Sequence, residues 1–205
     1  DLVRSRGLGD VYKRQDEYSL VHHPLGFFLI KLGQINPSTF LRLHIWLPNR
    51  RTTQHPEWSI HNHTFTLKSH VLTGKIINKS FNIDFQSSQP TNCLYLTRYN
   101  DNMSIISRTS QYLSCHQVEQ KIYSKGDYYL VEKGMYHSTQ VRLECLTSTI
   151  IITSNLDRKE PHVIGDLKGR DKYIYHRTTA QLSEFHETLS LLQCELKANV
   201  EQINS

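Results

Sequence analysis

Short runs in which apolar and polar residues alternate dominate the middle of the chain. Along Leu41–Leu47 every second residue is apolar, and Arg42, His44 and Trp46 occupy the positions between them. Because successive side chains on a β-strand point to opposite faces of the sheet, this pattern predicts a strand with one apolar face and one face that carries polar groups. Pro48 ends the run, as expected for a turn.

Comparable runs recur between Phe27 and Asn155, each of them short and bounded by residues that favour turns. They cover His61–Leu72, Ile77–Phe85, Leu94–Tyr99, Met103–Arg108, Gln117–Tyr123, Tyr128–Val131, Ser138–Leu143 and Thr147–Thr153. Many short strands at this spacing are typical of an antiparallel sandwich or barrel. We therefore predict an all-β fold.

The pattern changes after Pro161, where apolar residues begin to recur at helical spacing. From Thr179 to Ile203 the apolar positions follow one another at steps of three or four, with polar residues between them, which predicts an amphipathic α-helix. Packing of this helix on the β-rich part and a contact between two copies of the chain both fit the pattern. The predicted organisation is a β-domain over residues 16–160 and a C-terminal segment with the helix over 161–205.

Residues 1–15 are expected not to belong to the native protein. The stretch Arg6–Gln15 resembles the translation of an adaptor used in sequencing libraries, and the chain does not begin with Met. We therefore exclude residues 1–15 from the fold prediction as a scar on an environmental gene fragment; a native basic arm is the alternative. The chain has 24 Lys and Arg against 19 Asp and Glu, and leaving out the four basic and two acidic residues of 1–15 gives 20 against 17, a net charge of +3.

Composition narrows the possible functions. No basic stripe with interleaved aromatic residues is present, so the sequence does not indicate a nucleic-acid-binding protein. The longest apolar runs, such as Leu25–Ile30, are far too short to span a bilayer. Four widely separated cysteines, Cys93, Cys115, Cys145 and Cys194, form no C-x-x-C pair, and no signal peptide is visible. This usage indicates free thiols in a cytoplasmic protein.

Three histidines in two strand-like segments are the candidate metal ligands. His61 and His63 stand two residues apart in the segment Ser59–Thr64, so on a strand both imidazoles point to the same side. His137 follows Gly134 in a second run. Zinc, iron, copper and nickel all bind neutral imidazole, and three such ligands leave coordination positions open for water or substrate. We predict a reactive metal site at His61, His63 and His137, with a metal-free, hydrogen-bonded histidine pair as the alternative.

The spacing around these histidines resembles the two sequence motifs of the cupin superfamily. The first motif is matched by His61, His63 and Gly74. The second is matched by Gly126, Gly134 and His137. The resemblance implies a cupin-type double-stranded β-helix, a jelly-roll barrel, with a metal site inside it. Three positions depart from the motifs, because Leu67, Glu132 and Val141 stand where the family has Glu, Pro and Asn.

Leu67 determines which branch of the superfamily the chain resembles. Leucine cannot bind a metal, and a cupin without the glutamate ligand is similar to the thiol dioxygenases, such as cysteine dioxygenase, in which three histidines hold iron(II). Trp46 followed after a loop by Ser59–Thr64 also looks like that branch. The resemblance implies Fe(II) as the metal, with Zn, Ni or Mn as alternatives, and a small substrate, a thiol or a carboxylate.

Several residues of that branch have no counterpart in this chain. Lys68 stands where a cysteine crosslinked to tyrosine is expected, and Ser148–Thr153 contains neither the histidine nor the tyrosine of the family's proton relay. The arginine that binds the substrate carboxylate is expected in Leu25–Gly33, which offers only Lys31. The resemblance therefore implies metal binding without specificity for cysteine.

Two polar residues of the alternating strand are the candidates for catalysis. If their face lines the mouth of the barrel, Arg42 could neutralise an anionic substrate and His44 could transfer protons. If that face points to solvent, both are ordinary surface residues. His70 stands an odd number of positions from His63, so we expect it on the opposite face of the strand and not among the ligands.

The sequence thus predicts a metal-dependent cupin, namely a mononuclear non-haem iron oxidoreductase similar to the dioxygenases. Its partner would be a small-molecule substrate, and the chain would act as a monomer or homodimer. The alternative is a non-catalytic small-molecule-binding or sensor cupin, with or without metal. Neither interpretation involves nucleic acid or a membrane.

Overall fold

The computed structural model describes residues 18–100 and 102–201, so the predicted adaptor residues 1–15 lie outside the described part of the chain. Within these ranges the chain forms twelve strands and a C-terminal helix: β1 Leu20–His23, β2 Phe27–Asn36, β3 Thr39–Trp46, β4 Thr66–Thr73, β5 Lys75–Asp84, β6 Asn92–Asn100, β7 Met103–Ser124, β8 Tyr128–Val131, β9 Tyr136–Gln140, β10 Thr147–Ser154, β11 His162–Asp166, β12 Lys172–His176 and α1 Leu182–Glu201. No helix in these ranges has both the length and the apolar character that crossing a membrane requires.

The strands form two antiparallel sheets. The first has the order β1-β2-β3-β10-β4-β8, and the second has the order β11-β6-β7-β5-β9, with β12 pairing with part of β7. Helix α1 lies within the predicted range 179–203. The prediction of an all-β fold with a C-terminal helix is confirmed, and two antiparallel sheets in this order are consistent with a jelly-roll-like arrangement.

Strand β3 separates two layers of the core, as its alternation predicts. Leu43 and Ile45 point to the outer face of the first sheet, where they join a buried cluster with Phe185 and Leu189 of α1. Trp46, on the other face, joins a cluster to which both sheets contribute. Helix α1 therefore covers the outside of the first sheet, and the polar face of β3 is directed to the interior between the sheets.

A short segment before β4 connects the two edges of the second sheet. The N–H of His61 donates to the carbonyl of His137 (3.0 Å), and the N–H of His137 donates to the carbonyl of His61 (2.9 Å), which joins the segment to β9. On its other side the N–H of Asn62 donates to the carbonyl of His162 in β11 (3.1 Å), and the N–H of His162 donates to Oδ1 of Asn62 (2.7 Å). Backbone contacts on both sides therefore fix this segment.

Two strands that the sequence pattern did not single out follow Pro161. Strand β11 pairs with β6 and β12 pairs with β7, so the second sheet continues beyond residue 160, the predicted end of the β-domain. Neither strand alternates between apolar and polar residues, because Val163 and Ile164 are adjacent in β11 and Tyr173–Tyr175 is a continuous apolar run in β12. Ile164 of β11 and Tyr175 of β12 are buried against the sheet, whereas Ile174 of β12 is exposed.

Candidate metal centre

The three candidate ligands come together where the segment before β4 meets β9. His61 and His137 form an antiparallel bridge, which places their side chains next to each other. His63 stands two residues further on, and its carbonyl accepts a hydrogen bond from the N–H of Gly134 in the turn before β9 (2.9 Å). The same turn and strand thus position all three imidazoles.

The imidazole rings converge. Their centres are 4.8 Å apart for His61 and His63, 4.8 Å for His61 and His137, and 5.0 Å for His63 and His137. One nitrogen from each ring lies within 4.8 Å of the others, and the Nε2 atoms of His63 and His137 are 3.0 Å apart. Two nitrogens bound to one ion at about 2.1 Å and at a right angle would also be about 3.0 Å apart, and a hydrogen bond between the two rings has the same length. Three convergent imidazoles are a donor set that suits a transition-metal ion.

Hydrogen bonds from the second ring nitrogen orient two of the three imidazoles. Nδ1 of His61 donates to the carbonyl of Ser59 (2.8 Å), and Nδ1 of His137 donates to Oδ1 of Asn78 on β5 (2.9 Å). Because both partners are oxygen acceptors, the proton resides on Nδ1 and the lone pair is on Nε2, which is the arrangement that metal-binding histidines adopt. Asn78 was not predicted from the sequence, since only strand pairing brings β5 beside β9.

Burial lowers the pKa of all three candidate ligands below the ordinary histidine value. For His63 and His137, protonation is opposed further by neighbouring imidazoles, since two positive rings would repel each other. For His61 the hydrogen bond to the carbonyl of Ser59 raises the pKa, but burial lowers it by more. All three rings are therefore neutral at pH 7, the form that binds metal ions.

Arg42 and His44 lie beside the histidine cluster, on the inward face of β3. The guanidinium carbon of Arg42 is 5.3 Å from the centre of the Phe65 ring, and that ring stacks on His63 at 4.8 Å. His44 packs against Phe27 with 4.6 Å between ring centres. Its Nε2 is shielded from solvent and has no hydrogen-bond partner among the described residues. Burial and the charges of nearby arginines lower the pKa of His44 to about 3.

Arg177 and His23 belong to the same surroundings and were missed by the sequence analysis. Arg177 follows β12, and it donates from Nη2 to Nε2 of His23 (3.2 Å) and from Nε to Oγ of Ser104 (2.8 Å). Its guanidinium carbon is 5.2 Å from the centre of the Tyr99 ring. Burial lowers the pKa of His23, and the charge of Arg177 lowers it further. The charges of His44, His61 and Arg42 act in the same direction. No local sequence signal marks either residue, because the contact between them joins positions that are 154 residues apart.

Three residues close to the motifs take no part in the cluster. Leu67 is buried in the core between the sheets, and His70 stacks on the exposed ring of Tyr128 at 4.1 Å. The hydroxyl of Tyr136 is hydrogen-bonded to Nδ1 of His162 (2.6 Å). Among the described residues, the group that could hold a metal therefore consists of the three imidazoles and no carboxylate.

Comparisons with known proteins give weak structural likenesses and no sequence match. No family model matches the sequence, and a search of curated protein sequences gives no match. The chain is similar in structure to hydroxypropylphosphonic acid epoxidase from S. wedmorenis, at 14% identity and a TM-score of 0.40, over 68% of this chain and 56% of the epoxidase. It therefore spans little more than half of that enzyme.

A structural-genomics protein from Shewanella oneidensis is also similar, at 11% identity and a TM-score of 0.36, over 94% of this chain and 96% of that protein. At these identities the two likenesses identify neither an activity nor a metal.

Proposed function

We propose that the protein is a metal-dependent cupin that holds one iron(II) ion on His61, His63 and His137 and oxidises a small molecule in the manner of the cupin dioxygenases. The observation that supports this most is the convergence of three neutral imidazoles, two of them oriented through Nδ1. Because imidazole binds several transition metals, Zn, Ni and Mn are alternatives. When bound, iron(II) would supply the redox chemistry with dioxygen.

The residues around the histidines orient the ligands and exclude water. Ser59 and Asn78 hold the rings of His61 and His137 through hydrogen bonds, so little reorganisation accompanies metal binding. The ring of Phe65, stacked on His63, supplies an apolar wall on one side of the cluster. Such a wall strengthens electrostatic interactions with a bound substrate.

We assign Arg42 and His44 to the substrate. The guanidinium of Arg42 would bind an anionic group through charge-assisted hydrogen bonds. Because the pKa of His44 is about 3, its ring stays neutral at physiological pH. A general acid or base works best when its pKa lies near the working pH, so His44 is better suited to holding a hydrogen bond through its unpaired Nε2 than to transferring a proton.

Reconstitution of the purified protein with iron(II) under anaerobic conditions tests this proposal. We expect elemental analysis to find about one iron per chain in the wild type and in His70→Ala, whose ring lies outside the cluster, and almost none in His61→Ala. Oxygen uptake is then measured with a panel of small thiols and carboxylates. Iron retention without uptake on any compound would contradict the oxidative role and leave only metal binding.

A non-catalytic binding or sensor cupin is the second candidate. It is supported by β10, which spans Thr147–Ser154 and carries no ionisable side chain, although the dioxygenase branch is expected to place a histidine and a tyrosine there. Elemental analysis separates the two candidates: a folded protein that recovers no transition metal after reconstitution, yet binds a small ligand, would favour the second.

A further inference from the structure

Two arginines from distant parts of the chain border the surroundings of His44. Arg42 stands two positions before His44 on the inward face of β3. Arg177, which follows β12, donates to Nε2 of His23 (3.2 Å). The ring of His23 stacks on Phe27 at 4.1 Å, and Phe27 is 4.6 Å from the ring of His44. Both arginines are partly buried.

Among the described residues, the partners of these two positive charges are neutral. Arg42 contacts the ring of Phe65, and Arg177 contacts Ser104, His23 and the ring of Tyr99. Within residues 18–100 and 102–201 no carboxylate forms an ion pair with either arginine. A partly buried charge without a counter-ion is costly, and two adjacent like charges add to that cost.

Polar atoms without a partner lie next to these charges. His44 faces Thr149 across the β3 and β10 pairing, and both Nε2 of His44 and Oγ1 of Thr149 are shielded from solvent without a hydrogen bond. Buried polar groups in folded proteins are nearly always hydrogen-bonded, so such a pair beside two arginines indicates a polar ligand.

An open cavity of about 560 Å³ borders Arg42, and Lys31, Phe40 and Leu156 also line it. The charge of Lys31, which is opposite Arg42 in the β2 and β3 pairing, adds to the positive potential along the cavity. An anion would therefore be attracted toward Arg42 and away from bulk solvent.

We propose that Arg42 and Arg177 form a binding site for a small dianion, with His44 and Thr149 as neutral hydrogen-bonding partners. The proposal rests on the function proposed above in one respect, namely that the dianion is the substrate of the histidine site. A single negative charge would leave one guanidinium uncompensated, whereas two negative charges neutralise both. The Phe65 ring, which separates Arg42 from His63, sets the distance between the anionic group and the reacting part of the molecule.

Anion binding to the metal-free protein tests the proposal independently of catalysis. Sulfate and malonate are the probes, acetate and chloride are the monoanionic controls at equal ionic strength and pH 8, and binding is followed by calorimetry and by the melting temperature. We expect the dianions to bind and to raise the melting temperature, and the monoanions to do so far less. Arg42→Gln and Arg177→Gln should each weaken dianion binding about 10–100-fold, the usual effect of losing a hydrogen bond to a charged group.

Two further variants control for the loss of positive charge and for the shape of the guanidinium group. Arg142→Gln removes an exposed arginine and should bind sulfate and malonate like the wild type. Arg177→Lys keeps the charge but loses the planar guanidinium, so its binding should fall between that of the wild type and that of Arg177→Gln. If Arg177→Gln does not fold by circular dichroism, Arg177→Lys and Arg42→Gln carry the comparison.

The outcomes separate the two proposals. Equal binding of dianions and monoanions, or equal binding by Arg42→Gln, Arg177→Gln and Arg142→Gln, would overturn the dianion site. Iron content in Arg177→Gln is expected to match that of the wild type, because the arginine holds no metal. Dianion binding by a wild-type protein that never retains iron would contradict the metal function while the anion site stands.

Discussion

In two of the three imidazoles of the histidine cluster, a hydrogen bond from Nδ1 orients the ring so that Nε2 is presented to a metal. For His137 this is the hydrogen bond from Nδ1 to Oδ1 of Asn78 (2.9 Å). Without it the ring could rotate or take the other tautomer, in which the lone pair is on Nδ1. Asn78 is therefore expected to act on the metal through the orientation of His137.

Asn78→Ala should weaken metal binding to the apo-protein by about 10–100-fold, the usual cost of losing such an outer hydrogen bond. Competition with a chromophoric chelator measures the affinity. Asn78→Asp keeps an oxygen acceptor and should bind at least as well as the wild type, and Asn82→Ala, exposed on the same strand, should have no effect. An Asp variant as weak as the Ala variant would show that the hydrogen bond is not the cause.

A second effect at the residue scale concerns the turn between β4 and β5. Gly74 has a φ of +70°, and a Cβ at this position would lie 2.3 Å from Oγ1 of Thr147 and 2.8 Å from the carbonyl oxygen of Leu146. Gly126 also has a positive φ, +91°, but a Cβ there would meet nothing within 4 Å. The two glycines therefore share the backbone requirement and differ in the space around them.

We expect Gly74→Ala to destabilise the protein by more than Gly126→Ala. The positive φ should cost each variant about 1 kcal/mol or more, and only Gly74→Ala adds a clash with backbone atoms. The free energy of unfolding in urea measures both. Equal losses in the two variants would mean that the surroundings of Gly74 rearrange freely.

At the scale of elements, α1 is held mainly by its apolar stripe. Phe185, Leu189 and Leu192 are buried against the outer face of the first sheet. The ion pair between Arg50 and Glu187 (2.7 Å) is about half exposed, and such pairs contribute little because water and salt screen them. The helix is thus attached by burial of apolar surface on the side of the sheet opposite to the histidines.

Leu189→Ala should therefore lower the free energy of unfolding by about 2–5 kcal/mol, the usual range for a fully buried leucine. Leu191→Ala, on the exposed side of the same helix (38% exposed), should lower it by much less. Iron content per folded chain is expected to stay unchanged in both variants. A loss of iron in folded Leu189→Ala would indicate that the first sheet transmits the change to the site.

At the scale of the whole molecule, the histidine cluster joins parts of the chain that are distant in sequence. His61 and His63 precede β4 of the first sheet, whereas His137 lies on β9 of the second. A ligand that binds only the folded arrangement stabilises it by mass action, by about 2.7 kcal/mol at a concentration 100 times its Kd. Metal binding should therefore stabilise the fold as a whole.

We expect Zn²⁺, used as a redox-inert probe, to raise the melting temperature of the wild type in proportion to the logarithm of its concentration. The shift should be absent in His63→Ala. Mg²⁺, which prefers oxygen ligands, should cause none in either protein. A Zn²⁺ shift of the same size in His63→Ala would locate the binding elsewhere.

Local periodicity and residue spacing in the sequence were enough to predict several strands, the helix and the candidate metal ligands. The alternation along Leu41–Leu47 predicted the two faces of β3, and the helical spacing after Thr179 predicted α1. His61 and His63, two positions apart, were predicted to share one side, and His137 was identified through its distance from Gly134. Such features can be predicted from the sequence because the direction in which a side chain points depends on its position along the strand or helix.

Only the tertiary structure decided which distant residues surround those histidines. Asn78, His23 and Arg177 have no motif of their own, and strands β11 and β12 lack the alternation that marked other strands. Asn78 reaches the site through the pairing of β5 with β9, and Arg177 follows β12, which pairs with β7. His23 contacts Arg177, 154 positions away in the chain. The physical reason is that a polar side chain acquires its pKa, its partners and its role from the burial and charge of its surroundings, which chain folding brings together and local sequence does not encode.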